Sequence, residues 1–176
     1  WGQYAFLPDI EAREDAGTPG FLQAIRAALA VEVKDAMGVA AIEADSFSTP
    51  WSEAAFASEL DLPFSRTLVG HPSDRPDDVA GYVVWWRVAD EIHLLDLAVA
   101  RDHRRVGLAL LLASRVLDDA REAGARITTL EVAEDNVAAR GLYGRLGFAV
   151  VTTRRDYYGP GRAAFVMEHA TSGVVR

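Results

Sequence analysis

Between residues 91 and 123 the chain passes from one apolar element straight into another through a short turn of arginines and a glycine. Ile92-His93-Leu94-Leu95-Asp96-Leu97-Ala98-Val99 carries apolar residues on both faces, the pattern of a central strand covered on both sides. Leu108, Leu111, Leu112, Val116 and Ala120 then recur at helical spacing. Gly107 between them allows a tight turn and leaves the first N–H groups of the helix uncovered. Those groups lie at the positive end of the helix dipole, and Arg101, Arg104 and Arg105 flank them. Together they suit a phosphate. From these residues alone, the plainer reading is a glycine turn beside a solvated basic cluster.

A second segment sharpens the choice. Thr128-Thr129-Leu130-Glu131-Val132 reads as a short strand bearing a carboxylate, and residues 136–146 as a helix closed by Gly147. Taken in order, these pieces resemble the GNAT N-acetyltransferase superfamily, whose acyl-CoA loop is Gln/Arg-x-x-Gly-x-Gly/Ala. Arg104, Gly107 and Ala109 match it. Within the superfamily the chain is similar to the RimI-type acetyltransferases, which modify the N-terminus of a ribosomal protein. Pro50-Trp51-Ser52, Asp90-Glu91, Leu97-Ala98-Val99, Leu130-Glu131-Val132, Asn136, Leu142-Tyr143, Leu146-Gly147-Phe148 and Tyr157-Tyr158 carry that similarity, over residues 39–168.

The resemblance implies an α+β (mixed α/β) fold, a central, mostly antiparallel twisted sheet flanked by helices. It implies acetyl-CoA as co-substrate, held by Leu97, Ala98 and Val99, by Arg104, Arg105, Val106, Gly107, Leu108 and Ala109, and by Asn136 on the pantetheine arm. Glu131 corresponds to the family's base and Tyr143 to its acid. Trp51, Tyr157 and Tyr158 fall on the peptide side. The implied acceptor is the N-terminal α-amine of a protein, a ribosomal protein.

The chemistry suits these residue types. A peptide α-amine has a pKa of ~7.7–8.0 and lysine one of ~10.4, so neutralising the former near pH 7 costs only ~1 kcal/mol against ~4 for the latter. One carboxylate acting through water is then enough of a base. A phenol, pKa ~10, can protonate a departing thiolate resembling cysteine, pKa ~8.5. Each residue also has a plainer reading: Glu131 as an exposed strand residue, Tyr143 as an aromatic at the rim of the core, Asn136 as a helix N-cap. The family often has Arg after Leu-Glu-Val, where this chain has Ala133, and Gly141 and Gly144 soften the helix that carries Tyr143.

Composition narrows the alternatives. With 176 residues, half of them hydrophobic, the chain is sized for one domain with a proper core. A net charge of −8 argues against a nucleic-acid surface and suits a basic protein tail as partner. With no cysteine there is no disulfide framework or thiolate nucleophile, and His71, His93, His103 and His169 show no ligand spacing, so no metal is expected. No apolar run reaches the ~20 residues of a membrane span, and the start lacks a basic signal-peptide region, so no membrane partner is expected and the cytoplasm is the expected compartment. Trp85 and Trp86 are adjacent on a strand and point to opposite faces, which rules out a shared aromatic platform for nucleic acid. Tyr157 and Tyr158 are expected to alternate likewise.

The beginning of the chain reads differently. Residues 9–20 resemble an internal piece of class-V, cysteine-desulfurase-like aminotransferases. The only lysine is Lys34, outside any Schiff-base context, so this piece has no catalytic role. Pro19-Gly20 opens a helical pattern over residues 21–37, with Phe21, Ile25, Ala28, Leu29, Val33, Ala36 and Met37 on one face and Gly38 closing it. The chain thus reads as a junction: an extension over 1–30, the acetyltransferase domain over 31–170 and a tail over 171–176. The first strand of the sheet is replaced by this helix, and Val31-Glu32-Val33, its sole candidate, lies inside the helical pattern. Residues 65–69 become an unpaired edge strand. Further on, helices are expected over 39–47, 52–60, 107–123 and 136–146, and strands over 79–87, 91–100, 127–132, 148–155 and 163–168, with a loop over 71–78. Two other readings stay open: an acetyltransferase for small amines, and a catalytically weak acyl-CoA-binding hybrid.

Overall fold

A computed structural model describes residues 25–28 and 33–171 of the chain. In chain order these form β1 (Ile25–Ala28), α1 (Val33–Ser46), α2 (Glu53–Asp61), β2 (Ser65–Pro72), β3 (Gly81–Val88), β4 (Glu91–Val99), a 3-10 turn (Arg101–His103), α3 (Leu108–Glu122), β5 (Ile127–Ala133), α4 (Val137–Arg145), β6 (Ala149–Arg154) and β7 (Ala164–Ala170). The strands form one sheet in the order β1-β2-β3-β4-β5-β7-β6. Every neighbouring pair is antiparallel except β4 with β5, whose α3 crossover makes them parallel.

Local sequence accounts for most of these elements. Ser52 N-caps α2 by accepting from the Ala55 N–H at 3.1 Å, as the residue type favours. Ala89 takes a φ of 53° to close the β3–β4 hairpin. On α3, Leu108, Leu112, Val116 and Ala120 are buried, the stripe their spacing predicts. They pack on one face of the sheet with Val83, Trp85, Ile92, Leu94, Leu130, Val132, Tyr143 and Phe148. The other face is covered by α1 and α2, whose Val39, Ile42 and Phe56 meet Val69, Tyr82, Val84 and Ala98. Trp85 and Trp86 part as expected. Trp85 is buried and donates Nε1–H to Asp119, whereas Trp86 donates to Glu59 on the opposite side.

The helix expected over residues 21–37 does not form as such. Ile25–Ala28 is a strand, paired antiparallel with β2 from Ile25↔Pro72 to Ala28↔Val69. The first strand of the sheet is therefore present and pairs with Val69–Pro72 of β2, so of the edge expected at residues 65–69 Val69 gains a partner on that side, while 65–68 have none among the described residues. The physical reason is that the open edge of β2 offers a row of backbone donors and acceptors, and pairing with them outweighs a local helical preference. The sheet thus takes in residues from ahead of the boundary drawn at residue 31. Gly38 does not end a helix either, since α1 runs through it to Ser46. His71 and Pro72 extend β2 into the segment expected as loop. Residues 1–24, with the aminotransferase-like stretch and the Pro19-Gly20 entry, lie outside the described residues, as do 29–32, with Val31 and Glu32, and 172–176.

Two irregularities position the site. β4 and β5 pair only from Glu91↔Ile127 to Leu94↔Leu130, so the two strands part beyond Leu94 and Leu130. On its other side β4 slips register against β3: Trp85 faces Leu94 and Val84 faces Asp96, leaving Leu95 as a bulge. The bulge inverts which side chains face which layer. Leu94 packs with the α3 core, while Ala98, four positions on, packs with the α1–α2 core, although an even offset along a regular strand keeps one face.

Candidate active site

The turn leading into α3 lies beyond the end of β4. Gly107 is its N-cap at φ 92°, a left-handed conformation that glycine adopts without a Cβ penalty. No side chain caps the helix and its first turn holds no acidic residue, so the early N–H groups face outward with nothing negative beside them. Leu108 is buried beneath, and Val106 and Ala109 pack at the rim of the α3 core. A helix end of this kind can cradle an anion.

The arginines are not all aimed at that cradle. Arg104 donates from Nε to the Val99 carbonyl at 2.8 Å and from Nη2 to Ser46 Oγ at 3.0 Å. Arg101 pairs with Asp45 at 2.6 Å. Both tie the turn back to the end of α1. Arg105 sits at φ 67° and is exposed. Of the β4 residues assigned to the cofactor, Leu97 and Val99 turn toward the α3 core and Ala98 toward the α1–α2 core.

Glu131 stands on β5 just past the last β4–β5 pair, on the face opposite Leu130 and Val132. Its Oε1 meets Arg154 Nη1 at 2.9 Å. Arg154 belongs to β6 and reaches Glu131 diagonally across β7, where Ala164 is its register partner. Nothing in the sequence signals this pair, because it depends on the β5-β7-β6 strand order. Tyr143, on α4, lies in the core on the α3 side of the sheet, buried and edge-on to Phe148 at 5.6 Å. Burial first, then the charge of Asp96, raises its phenol above the ordinary value. Asn136 is the N-cap of α4, its Oδ1 accepting from the Ala139 N–H at 3.0 Å, so the plainer reading of this residue is realised in the fold.

Tyr157 and Tyr158 lie in the turn after β6, and their rings touch at 4.9 Å instead of pointing to opposite faces. The expected alternation fails because the residues are not in a strand. Tyr158 Oη lies 3.5 Å from the Glu131 carbonyl, which places this turn over β5. Its phenol is pushed up to about 12, chiefly by burial and then by Tyr157 and Glu131. Trp51, between α1 and α2, is tilted against Phe56 at 5.4 Å and donates its backbone N–H to Glu43 Oε1 at 2.9 Å.

That Glu43 contact leads to a group no motif marks out. Glu43 on α1, Tyr82 on β3 and Asp96 on β4 are all buried and mutually hydrogen-bonded: Tyr82 Oη contacts Glu43 Oε2 and, at 3.1 Å, Asp96 Oδ2. Burial, followed by the charge of Glu43, pushes the Asp96 carboxyl up to about 8, outweighing the Tyr82 hydroxyl and the Leu97 N–H, which favour the carboxylate. A lone Asp in an apolar strand was the only sequence signal. Among the described residues no cluster suits a metal ion and no helix is long and apolar enough to cross a membrane.

Comparison with known proteins agrees with this geometry. The profile of the acetyltransferase (GNAT) family matches residues 36–148. The ribosomal protein bS18-alanine N-acetyltransferase of Escherichia coli (strain K12) is 35% identical over 131 residues, covering 73% of this chain and 84% of the relative. The crystal structure of the ribosomal-protein-S18-alanine N-acetyltransferase from Escherichia coli superposes with a TM-score of 0.74 at 29% identity, over 84% of this chain and 94% of that one. Ard1 from Thermoplasma volcanium shares the fold at a TM-score of 0.75 and 24% identity, over 84% of this chain and 97% of that one.

Proposed function

The chain belongs to the acetyltransferase (GNAT) family and is an N-acetyltransferase; we propose that it transfers the acetyl group of acetyl-CoA to the N-terminal α-amine of a ribosomal protein in the cytoplasm. The observation that carries this reading is the parting of β4 and β5 beyond Leu94 and Leu130, with the Gly107-capped end of α3 beyond β4 and Glu131 just past the last β4–β5 pair; Tyr143 packs in the core on the other face of the sheet. The similarity to the bS18-alanine enzyme supports the acceptor.

The residues fit the co-substrate. The uncapped, acid-free first turn of α3 suits a diphosphate, with Val106, Gly107, Leu108 and Ala109 supplying backbone N–H groups and Arg105 charge. Arg104 and Arg101 shape the turn by holding it to Val99, Ser46 and Asp45. Backbone groups of Leu97, Ala98 and Val99, beyond the last β4–β5 pair, suit the amides of a pantetheine arm. Asn136 shapes the start of α4.

Acetyl-CoA supplies the thioester. Glu131, oriented by Arg154, takes the proton that the α-ammonium must lose before attack, through a water molecule. Tyr143 gives its hydroxyl proton to the departing sulfur. Trp51, Tyr157 and Tyr158 line the acceptor side, where the aromatic turn over β5 suits the first residues of a peptide. The test is turnover of acetyl-CoA with peptides that differ only in a free or blocked N-terminus, beside a lysine-bearing blocked peptide and a polyamine. Turnover of the free peptide alone supports the reading. Preference for the polyamine, or for the blocked lysine peptide, overturns it.

A further inference from the structure

Residues 48–51, between α1 and α2, belong to no helix or strand, and 48–50 are exposed. Among the described residues their backbone makes one hydrogen bond, from the Trp51 N–H to Glu43 Oε1 at 2.9 Å. An exposed segment of this kind can find its partners in water. Here the acceptor is instead a side chain only 2% exposed. A carboxyl group is costly to bury, and a second buried acid, Asp96, shares its partner Tyr82. Filling space does not require such a group.

The contacts of Glu43 close a circuit. A carboxyl accepts at both oxygens, and while Oε1 takes the Trp51 N–H, Oε2 meets Tyr82 Oη. The Tyr82 ring stands edge-on to Phe56 at 5.4 Å. Phe56 in turn carries the tilted ring of Trp51, again at 5.4 Å. Trp51 is therefore held twice, at its N–H by Glu43 and at its ring by Phe56, and both holds lead back to Tyr82. From the sheet, Asp96 Oδ2 contacts Tyr82 Oη at 3.1 Å. The bulge at Leu95 puts Asp96 on this face, immediately beyond the point where β4 leaves β5. Glu131, past the same point on β5, also faces away from the α3 core, toward the side that α1 and α2 cover.

We propose that Glu43 is a positioning residue for the acceptor: by holding the Trp51 N–H from within the core, it fixes where the Trp51 ring meets the peptide. This rests on the reading of Trp51 as an acceptor-side residue. Glu43 is buried and acts through Trp51. Without an acceptor at this place the Trp51 N–H is left to water, and residues 48–51 lose their tie to the sheet.

The experiment is steady-state kinetics on the full chain, varying acetyl-CoA and a peptide with a free N-terminus separately, with Tm followed for each variant. Glu43→Ala opens the circuit, and peptide KM should rise by about tenfold, the worth of one buried hydrogen bond. Acetyl-CoA KM and kcat at saturating peptide should stay within about twofold of wild type, the pattern of lost uniform binding. Glu43→Gln keeps an oxygen for the Trp51 N–H and offers an amide N–H to Tyr82 Oη, so it should restore most of the peptide affinity. Tyr82→Phe keeps the ring on Phe56 but takes away the partner of Glu43 Oε2, and should raise peptide KM by less than Glu43→Ala does. In a Trp51→Ala background Glu43→Ala should add little, because its effect passes through the Trp51 ring. A purely structural role would lower Tm and kcat and leave the two KM values in their wild-type ratio. That result overturns the proposal, as does full additivity of Glu43→Ala and Trp51→Ala. If Glu43→Ala does not fold, Tyr82→Phe decides: a selective rise in peptide KM supports the proposal and an unmoved one overturns it. Wild-type peptide KM in Trp51→Ala overturns the acceptor-side reading of Trp51 itself, a result separate from the others.

Discussion

The two sides of the gap between β4 and β5 are built in opposite ways. The diphosphate part of the proposed donor side is one contiguous turn, 104–109, with an uncapped helix end and a glycine at φ 92°. The proposed acceptor side draws Trp51, Glu131, Tyr143, Arg154 and Tyr158 from five separate places in the chain. An anion needs only backbone N–H groups that one helix end supplies. Moving protons needs acids and bases whose affinities are set by one another, which only convergence from several elements can arrange.

That contrast can be broken or sharpened by substitution. The largest effect is expected on the donor side. Gly107→Asp places a carboxylate and a Cβ where the diphosphate and a left-handed backbone are required, and acetyl-CoA binding should be lost. Calorimetry showing undiminished CoA affinity would sink the donor assignment.

The next effect lies on the acceptor side. Glu131→Gln should lower kcat at neutral pH by on the order of tenfold, the population factor for an α-amine, with acetyl-CoA affinity unchanged. Raising the pH should recover part of the loss. Wild-type kcat at neutral pH would make Glu131 a strand residue only. Arg154→Ala should act in the same direction but more weakly, because its side chain is more than half exposed and orients Glu131 without touching the amine. If Arg154→Ala costs more than Glu131→Gln, the arginine has a role of its own in substrate contact.

The smallest effect tests the helix that carries Tyr143. A Cβ added at Gly141 meets nothing within 4 Å. Gly141→Ala should therefore stabilise by about 1 kcal/mol, the helical cost of glycine, and raise Tm by roughly 2–4 °C. A simultaneous fall in kcat would show that softness of this helix matters to Tyr143. A fall in Tm would show that the glycine answers a constraint absent from the fold.

Sequence by itself determined whatever neighbouring residues encode. The apolar run of β4, the short strand β5, the stripe of α3, the Ser52 and Asn136 caps and the Gly107 turn are all statements about residues within a few positions of one another. The parting of Trp85 and Trp86 follows from strand geometry alone. Tertiary structure decided the rest. Ile25–Ala28 became a strand because the edge of β2 was there to receive it, against a helical pattern in its own sequence. Tyr157 and Tyr158 came together because a turn, and not a strand, follows β6. Asp96 faces Glu43 because one bulged residue inverts β4, and Glu131 meets Arg154 because β7 lies between their strands. A periodicity fixes which way a side chain points relative to its neighbours in sequence, but a proton affinity or an ion pair depends on which distant element is brought opposite it.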